Sequence, residues 1–288
     1  MQDLPPYPPV DDAPDVFASG HLWVEELVVG EPLRFRLTDA GFLVFGDAER
    51  VFEHGSIPLR YRHAVRAVRE SFARDAFREA VDDPESVTFG CVAVHRVDRT
   101  DAPAPAYDWA RTPSVLGTDV HDATQDRFLP RDAVQSVFER VGLRAVDPIA
   151  KELRAADVDP ASFPIPDSAW YDGPAAGVVF HNKRGGRAIR ERRPDGASAE
   201  VGIGNDNGPS GDSIERLLDE RVTDAWLDRV WTACEAAEDP TTVETLTERA
   251  LERLARETFA LSGPDAPTES EVRSALAARV DRYCRTRA

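Results

Sequence analysis

A glycine-rich segment divides this sequence of 288 residues into two parts of different character. Residues 196–211 contain five glycines and no helical periodicity, which is typical of a linker or a long loop. Short apolar or alternating segments before it predict strands, whereas every apolar pattern after it has helical spacing. The sequence therefore predicts the α+β fold class, with an α+β domain of residues 21–195 and an all-helical domain of residues 212–288.

The local patterns predict the elements of both domains. Five prolines within residues 1–20 predict an extended arm that ends at Gly20. A β-hairpin is predicted over residues 33–45, where two alternating segments flank a turn. Further strands are predicted over residues 21–29, 87–94 and 177–181, and amphipathic helices over residues 61–81 and 130–141. In the helical domain, Thr241 with Glu244 and Thr268 with Glu271 have the spacing of capping boxes.

The charge composition bears on the environment and the partners. The chain carries 52 acidic and 35 basic residues, a net charge of -17, and its only lysines are Lys151 and Lys183. Such a composition predicts a cytoplasmic protein of a high-salt cytosol, because dense carboxylates keep a surface hydrated. Since molar salt shortens the Debye length to about 3 Å, the charge does not exclude a nucleic-acid partner. The sequence has neither a membrane-length apolar run nor a secretory leader, so no membrane partner is expected.

Four short segments carry a resemblance to a known enzyme family. They are Trp23–Phe35 with Gly30 at its turn, Phe89-Gly90-Cys91, Leu116–Val120, and Ala176–Val179 with the basic residues that follow. In order and spacing they resemble the ATP-dependent RNA ligase family over about residues 7–195. The resemblance implies the covalent nucleotidyltransferase fold, an ATP-grasp-like RNA/DNA ligase domain of antiparallel sheets with flanking helices. In that family a lysine in the cleft takes AMP from ATP.

The residues that perform adenylation in that family are replaced in this chain. By the resemblance, the nucleophilic lysine falls at Leu27 and the acidic position two residues later falls at Val29. The two glutamates fall at Cys91 and Ala176, and the lysine of the last motif falls at Ile189. We expect Leu27, Cys91, Ala176 and Ile189 to line one cleft between two sheets.

These replacements remove the chemistry that adenylate transfer needs. Leucine is not a nucleophile, and alanine and isoleucine bind neither a metal ion nor a phosphate. No catalytic residue and no metal site are therefore expected, and the scattered cysteines and histidines have no metal-binding spacing. Gly30, Arg34 and Gly177 remain candidates for a nucleotide pocket by the resemblance. No cofactor is expected, but ATP and Mg²⁺ would be required if the protein were an active ligase.

The most basic stretch of the sequence is residues 183–193, which hold six basic residues and one acidic residue. Lys183, Arg184, Arg187 and Arg190 are candidates for contacts with phosphate or with an RNA backbone. An equally good interpretation is the solvated tip of an arginine-rich hairpin, because a charge run alone is weak support for binding.

Three functional hypotheses follow. The first is an RNA-ligase-like protein with an inactive adenylation site, which acts by binding RNA, a nucleotide, or a partner protein such as an active ligase. The second is an active ATP-dependent RNA ligase with an unrecognised lysine. Lys151, in a polar, helix-like segment, and Lys183, after a strand, both lack the family's position for the nucleophile. The third is an interaction protein whose cleft has closed.

Overall fold

The chain contains two compact units, Met1–Asp195 and Gly196–Ala288. The computed structural model describes residues 1–97, 105–192, 211–261 and 266–287. Residues 196–210 of the predicted linker therefore lie outside the described residues.

Two antiparallel sheets form the first unit. The first sheet comprises β1 (His21–Glu26), β7 (Pro148–Arg154), β8 (Gly177–Asn182) and β9 (Arg187–Glu191), and its strands lie in the order β7-β1-β8-β9. The second sheet comprises β2 (Glu31–Leu37), β3 (Leu43–Gly46), β4 (Val87–Ala93), β5 (Val115–Asp122) and β6 (Arg127–Phe128), and its strands lie in the order β3-β2-β4-β5-β6. Each pair of neighbouring strands is antiparallel. The predicted hairpin of residues 33–45 is confirmed as the β2–β3 pair.

Two predictions about the helices of this unit are wrong. Its described residues form the α-helices α1 (Pro14–Phe17), α2 (Leu59–Ser71), α3 (Arg74–Ala80) and α4 (Arg131–Arg140). The single helix predicted over residues 61–81 is wrong, because the chain turns extended at Phe72 and the Ala73 amide donates to Val141 O. The fully extended arm is also wrong over residues 10–17, where a short 3₁₀ helix precedes α1.

The segment around Lys151 is a further correction. Its polar, helix-like pattern belongs to β7, a strand at the edge of the first sheet. None of its residues is fully buried, and its alternation of half-buried and exposed residues breaks at Lys151 and Glu152, so its sequence is easily mistaken for a helix.

Within residues 211–261 and 266–287, the second unit contains helices and no strand. It comprises α5 (Gly211–Arg221), α6 (Asp224–Ala236), α7 (Val243–Glu257) and α8 (Glu269–Arg287). The capping box of Thr268 and Glu271 is confirmed, since each side chain accepts a hydrogen bond from the other's backbone amide. The box at Thr241 is wrong by one residue, because Thr242 caps α7 by accepting from the Thr245 amide. In the described part of the chain, no helix has the length and apolarity needed to cross a membrane.

A group of packed aromatic rings forms the centre of the core behind the second sheet. Phe89 of β4 stacks on Phe35 of β2, with the ring centroids 4.7 Å apart. Three further rings contact Phe89 at centroid distances of 5.2 to 5.6 Å, those of Phe72, Phe77 and Phe138. The break between α2 and α3 brings both Phe72 and Phe77 onto this ring.

Phe89→Ala is expected to lower the free energy of unfolding by about 3–5 kcal/mol, because it removes a fully buried ring and leaves a cavity. Denaturant unfolding of the full chain measures the change. Phe42→Ala is the matched control, since Phe42 is 66% exposed, and it should change stability by less than about 0.5 kcal/mol. Equal losses from the two substitutions would contradict the assignment of the core.

Candidate functional site

A cleft between the two sheets of the first unit contains a cavity of about 290 Å³ that is partly open to solvent. The chain crosses directly from β1 of one sheet to β2 of the other through residues 27–30. Five sequence-predicted positions line the cavity: Leu27, Gly30, Arg34, Cys91 and Ile189. The first two lie on the crossing, and the others lie on β2, β4 and β9. Residues far apart in sequence therefore meet in one place.

The other predicted positions lie beside the cavity. Val29 is buried in a neighbouring apolar cluster, where the Tyr107 hydroxyl bonds to both its amide and its carbonyl. Ala176 packs on the same cluster. Gly177 accepts a hydrogen bond from the Leu27 amide, and a Cβ there would lie 2.3 Å from the Arg190 carbonyl oxygen, so this close backbone approach requires glycine. Three of the four positions expected to share the cleft therefore do so, and Ala176 does not.

The first part of the predicted N-terminal arm lies along the cleft. From here on, the arm means residues Met1–Pro9 alone. Leu4, Pro5, Pro6 and Tyr7 line the same cavity as Leu27 and Ile189. At the end of the arm, the Ile189 amide donates to Pro8 O at 2.9 Å, and Pro9 forms a parallel bridge with Ile189. Sequence reasoning missed this placement. The signal was the apolar and aromatic side chains of Leu4 and Tyr7 among the prolines, which a solvated arm does not need.

Asp119 of β5 connects three parts of the unit across the cleft. Its carboxylate accepts from Arg187 Nη1 of β9 at 2.8 Å and from the Tyr7 hydroxyl of the arm at 2.5 Å. The Arg187 guanidinium also lies over two rings, 4.9 Å from the centroid of Tyr7 and 3.9 Å from that of Phe128. Arg187 is therefore held on three sides inside the unit.

The charges in this group fix its protonation states. Burial disfavours ionisation of Asp119, but the charges of Arg187 and His181 and the hydrogen bonds from Tyr7 and Arg187 outweigh it and hold the pKa of that carboxyl below its ordinary value. Burial and the adjacent Asp119 charge raise the pKa of Tyr7 well above its ordinary value. The pair is therefore an ionised carboxylate that accepts from a neutral phenol.

A second buried ion pair connects β1 to α4. Glu25 binds Arg131, and both side chains are only 3% exposed. Arg131 also donates to Val146 O at 2.8 Å, and His181 Nε2 lies 3.2 Å from the Glu25 carboxylate. This pair was not predicted, because Glu25 and Arg131 are 106 residues apart and no local pattern connects them.

Glu26, next to Leu27, is a carboxylate of different character. It accepts from the Ser168 hydroxyl at 2.5 Å and from the Ala169 amide at 2.9 Å. Burial nevertheless raises the pKa of Glu26, because it outweighs these two hydrogen bonds.

The basic hairpin of β8 and β9 contains both engaged and exposed cations. Arg187 is 9% exposed and paired with Asp119, and Arg190 donates to the carbonyls of Ala161 and Phe163 at 2.9 and 2.5 Å. Lys183 and Arg184 lie at the exposed turn between the strands. Lys183 forms a surface ion pair with Glu152 at 2.8 Å. Arg193 lies outside the described residues.

Neither of the two lysines lies in the cleft. Lys151 extends from β7 over the ring of Trp23, with its Nζ 4.6 Å from the ring centroid. Lys183 lies at the hairpin turn. Both belong to the described residues, and neither lines the cavity.

The fold is similar to that of solved RNA ligase structures. A variant of Naegleria gruberi RNA ligase with ATP and Mn aligns with a TM-score of 0.50 at 10% identity, covering 66% of this chain and 56% of that chain. Another variant with AMP and Mn gives 0.49 at 11%, and the ligase with PPi gives 0.46 at 12%, each with the same coverage. No protein-family model and no curated protein matches the sequence. The chain thus spans little more than half the length of these ligases, and the likeness shows an RNA-ligase-like fold alone.

The residues of this cleft do not fit the divalent metal ion that the fold implies. Among the described residues, no group of three or more His, Cys, Asp or Glu side chains is placed to hold a metal ion. The carboxylates that line the cavity are already bound: Glu25 by Arg131, Glu26 by Ser168 and Ala169, Asp47 by two backbone amides, and Asp119 by Arg187 and Tyr7. The arm occupies part of the space as well.

Asp119 is expected to stabilise the protein at neutral pH and to lose this contribution in acid. Because its pKa is lowered on folding, the contribution is complete above its ordinary value of 3.8 and is lost as the pH falls through the native value. Asp119→Asn should cost about 3 kcal/mol at pH 7, since it leaves Arg187 buried without its partner. The cost should shrink in acid. Denaturant unfolding at pH 7 and pH 3 measures it.

Asp82→Asn is the control for this prediction, because Asp82 is exposed. It should leave the pH dependence of unfolding unchanged. An Asp119→Asn cost that is equal at both pH values would contradict the assignment of an ionised, clamped carboxylate.

Proposed function

We propose that this chain is an RNA-ligase-like protein that forms no lysyl-adenylate and acts by binding RNA. One observation carries the first part. Leu27, at the position that the family resemblance gives to the nucleophile, lines the cavity of the cleft. A leucine side chain has no lone pair with which to attack a phosphate.

The surroundings of Leu27 support the same conclusion. Cys91 and Ile189, which replace a glutamate and a lysine by the resemblance, line the same cavity. Burial and the charge of Asp119 raise the pKa of Cys91, so its thiol stays neutral. Phosphoryl transfer depends on positive charge and metal ions around the phosphate. Apart from Arg34, which is paired with Asp3, the cleft presents an apolar lining and carboxylates that are already bound.

The alternative, an active ligase with an unrecognised lysine, requires Lys151 or Lys183 to reach the α-phosphate of a bound ATP. Lys151 lies over Trp23 on an edge strand, and Lys183 lies at a surface turn. Neither position supports attack within the cleft.

The exposed turn of the β8–β9 hairpin supports the RNA-binding part of the proposal. Lys183 is 55% exposed and its partner Glu152 is 47% exposed. A surface ion pair of this kind contributes about 0–1 kcal/mol, so Lys183 can exchange Glu152 for a phosphate at little cost. Arg184 is also exposed. Arg187 and Arg190 are engaged inside the unit, whereas Lys183 and Arg184 can reach RNA without rearrangement.

Incubation with radiolabelled ATP and Mg²⁺ should give no covalent adduct on denaturing gels. Leu27→Lys is also expected to remain unlabelled, because Cys91 and Ile189 still supply neither a metal ligand nor a positive charge. Labelling of the unmodified chain that disappears in Lys183→Ala or Lys151→Ala would establish the ligase alternative.

Lys183→Gln with Arg184→Gln is expected to weaken binding to single-stranded RNA of any sequence. Each lost phosphate contact should reduce the slope of log K against log salt by about 0.7. Fluorescence anisotropy at several salt concentrations measures both effects. Arg140→Gln with Arg154→Gln removes two exposed charges elsewhere on the same unit and controls for net charge. Equal losses from the two double variants would remove the hairpin turn from the mechanism.

A further inference from the structure

The arm has the contacts of a ligand bound in the cleft. The Gln2 amide donates to the Thr88 hydroxyl at 3.2 Å, and Arg34 Nη1 donates to Gln2 O at 2.9 Å. Leu4 packs against Gly90, where a Cβ would lie 2.6 Å from the leucine side chain. The arm is therefore held by backbone hydrogen bonds and by a glycine that makes room for it.

Arg34 is the buried cation under this segment. Its side chain is 5% exposed, and its ion-pair partner is Asp3 of the arm, whose side chain is 83% exposed. Arg34 Nε is buried and has no hydrogen-bond partner. The arm thus supplies one carboxylate and one carbonyl to Nη1 of this buried guanidinium.

The same region can hold a phosphate group in place of the arm. Withdrawal of the arm frees Arg34 Nη1, which now donates to Gln2 O and binds Asp3, and it frees the Thr88 hydroxyl, which now accepts from the Gln2 amide. A phosphate presents several acceptor oxygens, so it can accept from the guanidinium and from the hydroxyl together.

We propose that the arm is an intramolecular ligand of the cleft, and that Arg34 is an anion subsite at which a phosphate group of a small molecule exchanges with Asp3. This goes beyond the proposed function and does not depend on RNA binding. Arg34 is costly to leave buried without a partner, so departure of Asp3 is coupled to arrival of another anion. Because the arm competes for the subsite, the apparent affinity for the anion is reduced by the fraction of molecules in which the arm is withdrawn.

Calorimetric titration of the full chain with inorganic pyrophosphate tests this coupling. Asp3→Asn with Tyr7→Phe removes the carboxylate on Arg34 and the hydroxyl on Asp119, and it should tighten pyrophosphate binding at least fivefold. Asp11→Asn changes the charge equally at an exposed residue that follows the arm, and it should behave as the unmodified chain. Adding Arg34→Gln to the double variant should abolish the gain.

Two outcomes would overturn the proposal. One is an unchanged affinity in the double variant, and the other is a gain that survives Arg34→Gln, since the anion would then bind elsewhere. Asp3→Asn alone keeps the test valid if the double variant misfolds, because Asp3 is largely exposed. It should tighten binding at least twofold, and no change would again overturn the proposal.

The chemical accessibility of Cys91 measures withdrawal of the arm separately from binding. Cys91 is 5% exposed and lines the cavity with Leu4 and Tyr7. In a Cys284→Ser background, a small thiol reagent at pH 9 should modify Cys91 faster in the double variant than in the unmodified chain, with the site identified by mass spectrometry. Equal rates would show that the arm does not cover the cleft as proposed.

Discussion

The arrangement of the cleft depends on the carboxylate of Asp119. It belongs to β5 of the second sheet, yet it binds Arg187 of the first sheet and Tyr7 of the arm. A buried charge is stable only when it is paired and hydrogen-bonded, so these three groups hold one another in place. Glu25 and Arg131 form a second buried pair between β1 and α4. Together, the two pairs connect the two sheets, the arm and α4.

Under the proposed function, this arrangement keeps an RNA-ligase-like fold without the chemistry of a ligase. Adenylate transfer requires an open cleft with free carboxylates and cations around a phosphate. Here Asp119 and Glu25 neutralise arginines of the same chain, and Leu27, Cys91 and Ile189 give the cavity an apolar lining. Fold and activity are separable, because activity resides in a few side chains that the fold merely positions.

Local patterns predicted those parts of the fold that local interactions determine. The β2–β3 hairpin and the capping box of Thr268 were predicted because turn and capping signals lie within a few residues. The break of the helix at Phe72 was missed, because it is set by packing of Phe72 and Phe77 on Phe89, a tertiary contact. In the site, the family resemblance predicted that Leu27, Cys91 and Ile189 lie together, and all three line the cavity. The arm and the Glu25–Arg131 pair were missed, because side chains about 100 residues apart leave no periodic signal. The cytoplasmic, high-salt environment remains a prediction from composition.

The most direct test of the account is a crystal structure of the full chain grown with saturating ATP and Mn²⁺. We expect Leu27 to face an apolar cavity, and we expect no AMP to be joined to Lys151 or Lys183. An adenylate joined to either lysine would contradict the account. So would ATP bound beside Leu27 with its metal ion held by Asp119 or Glu26, because those carboxylates would then serve the nucleotide and not the fold.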